Sequence, residues 1–287
     1  MSRKGIILAG GRGTRLYPTT KSTPKALLPV YDKPMIYHPI STLMLADIRE
    51  ILLITTAEDQ LRFKDVLGNG SQWGINIEFA TQDEPKGIAE ALIIAEDFLD
   101  NQPSVLHLGD NIFYGAGFGS VLKEASNNDK CTIFSYNVPD PERFGICEFD
   151  ENFKVTSIVE KPKKPKSNFA VTGLYFYDKN APKIAKSITP SDRGELEITD
   201  VNIAYMKKNV LFTNNLGRGF AWIDAGTIES FFDAGVFVRT IERRQGIKIA
   251  CLEEIALRQN WITPEIITNN SDDMKSDYGL YVNRLLK

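Results

Sequence analysis

The sequence predicts an α/β fold with a mostly parallel sheet flanked by helices, and three observations carry that expectation. Strand-like and helix-like segments alternate from the amino terminus to Val138, the order expected when crossover helices cover a parallel sheet. A glycine-rich turn follows the first apolar run directly. After Pro139 the texture changes to strand-like pairs separated by turn signals.

Taken in order, residues 4–9 read as a strand through the apolar run Gly5-Ile-Ile-Leu-Ala9. Residues 34–47 show helical spacing in Met35, Tyr37, Ile40, Leu43 and Met44. A strand at 50–55, a helix around 58–67 and a strand at 75–80 follow. Residues 88–99 read as a helix, with strands at 104–108 and 130–138. Beyond Pro139, strands are expected at 145–150, 154–160, 169–177 and 211–216, interrupted by the loop Lys161-Pro-Lys-Lys-Pro-Lys166 and by helical stretches near 180–187 and 198–207. A long helix spans 227–245. The tail mixes short helical patterns with Trp261, Tyr278 and Tyr281 and is expected to pack on the body or on a neighbouring subunit. These breaks suggest one domain over 1–250, with halves meeting near 138, and a helical segment over 251–287.

Composition narrows the function. Hydrophobic residues at 43% and charged ones at 25% suit a globular chain with a sizeable core. With 34 basic and 37 acidic side chains the formal charge is −3, so neither nucleic acid nor an anionic membrane is an expected partner and any basic site must be local. Cys131, Cys147 and Cys251 are scattered and odd in number, fitting neither a disulfide framework nor zinc spacing, and point to a reducing cytoplasm. Met1-Ser-Arg-Lys4 resembles a signal n-region, but the apolar run behind it stops at Gly10. No membrane span is expected, because no run reaches about 18 apolar residues.

The stretch Gly10-Gly-Arg-Gly-Thr-Arg-Leu-Tyr-Pro-Thr-Thr-Lys-Ser-Thr-Pro-Lys25 is the richest in chemistry. Its glycines let the backbone approach an anion and adopt positive φ where needed, while Arg12, Arg15, Lys21 and Lys25 bring positive charge. A P-loop would need GxxxxGK followed by Ser or Thr, and no such lysine is present. The dinucleotide fingerprint is half present as Gly11-x-Gly13, but position 16 is leucine and no ribose-binding acid stands at the end of the second strand. Nucleotidyl transfer, with Arg15 and Lys25 as paired cations, uses every charged feature.

Leu8-Ala-Gly-Gly-Arg-Gly-Thr-Arg-Leu-Tyr-Pro18 followed by Pro24-Lys-Ala-Leu-Leu-Pro29 resembles the signature of the sugar-1-phosphate nucleotidylyltransferases. The similarity continues in order through Tyr31-Asp-Lys-Pro-Met-Ile-Tyr37, Leu108-Gly-Asp-Asn-Ile-Phe-Tyr-Gly115, Asp140-Pro-Glu-Arg-Phe-Gly145, Glu160-Lys-Pro162, Val171-Thr-Gly-Leu-Tyr-Phe-Tyr-Asp178, Arg193-Gly-Glu-Leu-Glu-Ile-Thr-Asp200 and Ala221-Trp-Ile-Asp-Ala-Gly-Thr227. It covers nearly the whole chain and is most similar to the glucose-1-phosphate thymidylyltransferase branch. The resemblance implies a Rossmann-like mixed sheet, the nucleotide-diphospho-sugar transferase fold, with a nucleotide half over 1–138 and a sugar-binding half over 139–250. It implies transfer from dTTP to glucose 1-phosphate, feeding deoxysugar synthesis such as that of dTDP-rhamnose. UTP or another pyrimidine triphosphate is the alternative donor, and a regulatory sugar-nucleotide-binding paralogue is the alternative outside catalysis.

In this reaction a sugar-phosphate oxygen attacks the α-phosphorus of the triphosphate. A phosphate monoester has its second pKa near about 6, so the nucleophile is largely a dianion at neutral pH and needs no general base. Two histidines, His38 and His107, are therefore no obstacle. The barrier is charge repulsion and alignment. By resemblance, Arg15 meets the β and γ phosphates and Lys25 the α-phosphate, while Leu8, Gly10, Gly11, Gly13 and Thr14 wrap the nucleotide. Gln82 would read the pyrimidine edge and Gly87 would let the base approach the backbone. Asp110, also on the nucleotide side, and Asp224 each end an apolar run and are the candidate Mg2+ ligands, since magnesium favours one or two carboxylates plus substrate phosphates. On the sugar side Lys161 would bind the phosphate and Glu160 the hydroxyls, with Asn111, Gly145, Val171 and Tyr175 shaping the pocket.

Two positions depart from the branch. Ala26 stands where glutamine is common after the lysine, and Lys86 where aspartate is common before the glycine. The resemblance also implies a homotetramer, a dimer of dimers, with a regulatory nucleotide-sugar site for which Tyr114, Gly115, Arg218 and Arg258 are candidates.

Overall fold

A computed structural model describes residues 3–128, 130–271 and 275–286, so the first two residues of the n-region-like stretch and residues 272–274 and 287 of the tail lie outside the described residues. The chain begins with β1 (Lys4–Leu8), three short 3-10 turns at Thr14–Leu16, Thr19–Lys21 and Lys25–Leu27, and a small hairpin of β2 (Pro29–Val30) and β3 (Lys33–Pro34). Then come α1 (Tyr37–Leu45), β4 (Glu50–Thr55), α2 (Gln60–Leu67), β5 (Asn76–Thr81), α3 (Glu90–Ile94), α4 (Glu96–Leu99) and β6 (Ser104–Leu108). They are followed by β7 (Asn111–Gly115), α5 (Phe118–Asn127), β8 (Cys131–Asn137), β9 (Gly145–Phe149), β10 (Val155–Glu160) and β11 (Phe169–Tyr177). The chain continues with α6 (Ala181–Ser187), α7 (Ile198–Lys207), β12 (Leu211–Leu216), β13 (Phe220–Asp224) and α8 (Ile228–Gln245). The tail holds α9 (Leu252–Arg258), α10 (Pro264–Ser271) and α11 (Asp277–Arg284).

Nine strands among the described residues form one mixed sheet. Strands β6, β1, β4 and β5 lie side by side and parallel, and β12 pairs parallel with β8. Between these groups runs β11, antiparallel to both β6 and β8. Its first residues also pair with β9, which carries β10 at the edge. The strands of both expected halves therefore share one sheet.

Alternation along the strands builds a core on each face. Ile7, Ile51 and Leu53 join one apolar cluster, whereas Ile6, Leu52 and Ile54 join the other. This is the period of two expected of a pleated strand, and burial on both faces explains why these strands read as continuous apolar runs. Each fully buried leucine or isoleucine contributes about 1.5–3 kcal/mol.

The structure corrects several boundaries. The helix expected over 34–47 starts at Tyr37, because Lys33 and Pro34 pair with Val30 and Pro29. The helix expected over 88–99 is two short ones that meet at Ala95. Strand β7 and helix α5 were not anticipated; α5 starts after Gly117, whose φ of 76° needs glycine. Helix α8 starts one residue inside the expected span. Thr227 caps it through a reciprocal box with Ser230, and Gly246 ends it at φ 68°.

The tail lies against the body of its own chain. Gln259 donates to the Met44 carbonyl (2.6 Å), Trp73 donates its Nε1–H to Glu253 (2.9 Å), and Tyr278 and Tyr281 donate to Glu253 and Glu254 at 2.5 and 2.6 Å. Among the described residues, no helix is long and apolar enough to cross a membrane.

Candidate active site

The four parallel strands stand in the order β5-β4-β1-β6, so the chain reverses its direction of travel across the sheet between β1 and β6. At such a switch point the loops that leave neighbouring strands diverge and open a crevice at their carboxyl ends. Here those loops are the glycine-rich stretch after Leu8 and the Gly109-Asp110 turn after Leu108.

Of Gly10, Gly11 and Gly13, only Gly13 has a positive φ (59°), so the expected left-handed freedom is used once. A Cβ there would lie 2.9 Å from Thr20 Cγ2, and the Thr20 hydroxyl donates to the Gly13 carbonyl at 2.9 Å, folding the loop on itself. Gly11 faces open space. Gly10 packs on Gln82 and lines neither chamber of the crevice. Arg12 and Lys21 are exposed and also line neither, so only Arg15 and Lys25 of the four expected cations face it.

The crevice has two adjoining chambers, of about 290 and 320 Å3. Asn111, Gly145, Glu160, Lys161, Val171 and Tyr175, all expected on the sugar side, line the first together with Asp224. Gly13, Thr14, Gln82 and Gly87, all expected on the nucleotide side, line the second. Leu8, Gly11, Arg15, Lys25 and Asp110 line both.

Asp110 and Asp224 come together through a ribbon separate from the main sheet. In it β13 pairs antiparallel with β7, Asp224 opposite Asn111, and the Ala225 N–H donates to the Asp110 carbonyl at 3.0 Å. Asp224 therefore ends a strand, as expected, but not one of the nine. Burial pushes the Asp110 carboxyl up, yet the Lys25 ammonium, which donates to it, and the Asn111 amide at 2.9 Å hold it below the ordinary value. Asp224 goes the other way. Burial and the nearby Asp110 charge raise it to about 6 against the pull of Lys25, Arg143 and Arg15.

Among the described residues no cluster of three or more His, Cys, Asp or Glu side chains forms a closed metal site. Two mutually repelling carboxylates beside a phosphate-sized crevice nevertheless fit Mg2+, which completes its shell with water and substrate phosphates.

The first chamber has a rigid floor. The Asn111 side-chain oxygen Oδ1 accepts from Trp222 Nε1 (2.6 Å) and from the Gly173 N–H (3.0 Å) while its Nδ2–H donates to Asp110, so its polar end braces Asp110 more than it faces solvent. A Cβ on Gly173 would lie 2.6 Å from that oxygen. Thr199 donates to Glu160 at 2.6 Å, and Gly145 leaves the room for this pair. Lys161 follows at φ 42°, its ammonium 3.6 Å from Glu160.

In the second chamber the Gln82 amide nitrogen donates to Glu90 (2.6 Å) and to the Gly87 carbonyl (3.3 Å), while its oxygen lies on the Gly10 side. Gly87 has a nearer reason to be glycine than approach of a base. Its φ is 106°, and a Cβ would lie 2.4 Å from the Leu196 carbonyl oxygen. The two departures also move. Ala26 lines the first chamber, not the second, and Lys86 is exposed beside Glu84 at 3.3 Å and lines neither.

Tyr114, Gly115 and Arg258 line a separate cavity of about 510 Å3, bounded also by Lys248 and Gln259. Arg218 lies apart, exposed in the turn before β13. Sequence reading passed over Arg143, Thr199 and Trp222 as site residues although all three line the first chamber. Each sits inside a stretch that carries the family resemblance, 140–145, 193–200 and 221–227, and that is the signal the sequence offers.

The nucleotidyl transferase family model matches residues 4–241. The glucose-1-phosphate thymidylyltransferase of Neisseria meningitidis serogroup A is 55% identical over 286 residues, covering 99% of both chains. That of Mycobacterium tuberculosis is 49% identical over 285 residues, again covering 99% of both. A solved Bacillus anthracis structure, described as a glucose-1-phosphate thymidylyltransferase in complex with sucrose, is 44% identical and matches 83% of this chain and 96% of its own with a TM-score of 0.77. A UDP-glucose pyrophosphorylase at 24% identity and TM-score 0.72 shares the fold.

Proposed function

The chain belongs to the nucleotidyl transferase family, and on that premise we propose that it transfers a thymidylyl group from dTTP to α-D-glucose 1-phosphate, yielding dTDP-glucose and pyrophosphate. The observation that carries this reading is the pair of chambers with Arg15, Lys25 and Asp110 on their shared wall. A donor triphosphate in one and an acceptor phosphate in the other would meet beside those groups. The choice of thymidylyl rests on relatives near 50% identity that carry that name, against 24% for the uridylyl enzyme that shares the fold.

An acceptor phosphate oxygen attacks the α-phosphorus. The new oxygen–phosphorus bond forms as the bond to the β-phosphate bridging oxygen breaks, and pyrophosphate leaves with the electron pair. No proton need move, and no imidazole is offered: His38 and His107 are buried and line neither chamber. Arg15 would hold the leaving phosphates and Lys25 would meet the charge that grows on the α-phosphate. Lys25 already donates to Asp110, so its ammonium is positioned before substrate arrives. Asp110 and Asp224 would hold Mg2+, which when bound supplies charge neutralisation across the phosphates.

The wider assignment follows the same family. Exposed Ile228, Phe232 and Val236, four residues apart on α8, support assembly with further copies, in keeping with a homotetramer. The cavity at Tyr114, Gly115 and Arg258 is read as an effector site. Three free, buried cysteines suit the cytoplasm.

Side-by-side turnover of dTTP and UTP with glucose 1-phosphate and Mg2+, followed by pyrophosphate release, tests the reading. Preferred use of dTTP is expected. A strong UTP preference overturns the thymidylyl assignment, and no release with either overturns the transfer itself.

A further inference from the structure

We infer that Arg143 binds the phosphate of the acceptor sugar phosphate, an inference that rests on the transfer proposed above. Arg143 ends the short turn Pro141–Arg143 and lines the first chamber but not the second. Its Nη1–H donates to Asp140 at 2.6 Å, and its guanidinium carbon lies 5.1 Å from the centre of the Phe144 ring. These two contacts restrain the group. Its other terminal nitrogen, Nη2, is buried and has no hydrogen-bond partner. Asp224 Oδ2 stands 3.6 Å from it, near enough to attract the charge and too far to accept a hydrogen bond.

A buried guanidinium donor without an acceptor is costly unless something arrives to use it. What arrives is constrained by charge. Arg15 and Lys25 line both chambers and are shared with the triphosphate, which leaves Arg143 and Lys161 as the cations confined to the acceptor side among the described residues. Lys161 is a half-exposed point charge drawn towards Glu160. A dianionic monoester is matched better by a planar fork held at one end and open at the other. Asp140 is then a positioning residue, and Asp224 turns the open end towards the reacting phosphates.

The test is steady-state kinetics of the full-length chain with dTTP, glucose 1-phosphate and Mg2+, comparing wild type, Arg143→Ala and Arg143→Lys, with thermal melts as a folding check. Arg143→Ala is expected to raise the KM for glucose 1-phosphate by about tenfold or more and to leave the KM for dTTP within about twofold, with Arg143→Lys between, since lysine keeps the charge and loses the fork. If Arg143→Ala does not fold, Arg143→Lys decides, and a selective rise of about threefold in the acceptor KM supports the inference. An unchanged acceptor KM, or equal rises for both substrates, overturns it while leaving the transfer intact. Absence of wild-type turnover overturns the transfer and this inference with it.

Discussion

The Lys25 ammonium donates to the Asp110 carboxylate, joining residues 85 apart in sequence across the switch point between β1 and β6. The pair holds both groups on the shared wall of the two chambers, and the Lys25 ammonium holds the buried Asp110 carboxyl below its ordinary value. Lys25→Ala removes the cation facing the α-phosphate and lets the Asp110 carboxyl rise towards the value its burial favours. We expect kcat for pyrophosphate release to fall by about 10²–10³-fold. Circular dichroism should remain that of wild type, and a variant with wild-type kcat would remove Lys25 from the chemistry.

Asp224→Asn should cost activity and add stability. A carboxyl raised from 3.8 to about 6 is ionised at neutral pH at the expense of the fold. That expense is fully present above about 6 and disappears as pH falls towards 3.8, where the folded state has taken up its proton first. At 1.36 kcal/mol per pH unit, the gain of the asparagine variant at pH 7.5 is at most about 3 kcal/mol. Thermal melts from pH 8 to pH 4 should show the gap closing. MgCl2 at neutral pH should raise the wild-type Tm more than that of the variant, by preferential binding to the folded state.

Gly87→Ala tests whether the wall of the second chamber depends on Leu196. The added Cβ would meet the Leu196 carbonyl oxygen at 2.4 Å and its nitrogen at 2.6 Å, both backbone atoms with little freedom to retreat. A loss of about 1–3 kcal/mol is expected from the clash. The KM for dTTP should rise while that for glucose 1-phosphate changes less. Equal effects on both would mean that the wall serves the whole crevice.

Glu242 anchors a buried charge network whose residues line neither chamber of the crevice. It accepts from Lys33 at 2.7 Å, from Lys248 at 2.9 Å and from the Ile249 N–H at 2.9 Å, and Asp32 contacts both lysines. Burial pushes the Asp32 carboxyl up, but Lys33 and Lys248 keep it below the ordinary value. Glu242→Ala leaves two lysines with one carboxylate, a change expected to cost about 3–5 kcal/mol. That corresponds to a fall in Tm of roughly 10 °C for a chain of this size.

The sequence was a good guide where structure is local. The apolar runs of β1, β4, β6 and β11 were legible because burial on both faces leaves few polar interruptions, and those that occur, His107 in β6 and Thr172 in β11, are themselves buried. Helix α5 could have been found, since Phe118, Val121, Leu122 and Ala125 follow the spacing of one helical face. Strand β7 could not: among the described residues its five pair only with β13, more than 100 positions later. The same distance effect governs the crevice. Arg15 and Lys25 stand out as cations beside glycines, but Arg143 gains its meaning only when β9 and β13 bring it beside Asp224. Nor does sequence reveal that Leu196 crowds Gly87, or that Lys86 turns to solvent.

The ribbon of β7 and β13 also sets where this chain can change length. Side chains alternate faces along a strand, so one residue inserted or deleted within 220–224 would rotate Asp224 to the opposite side of the ribbon. At the other end, the exposed turn 217–219 precedes the first paired residue, and lengthening it leaves the Asn111–Asp224 register unchanged. A short insertion in 217–219 is therefore expected to leave activity intact, and one within 220–224 to abolish it.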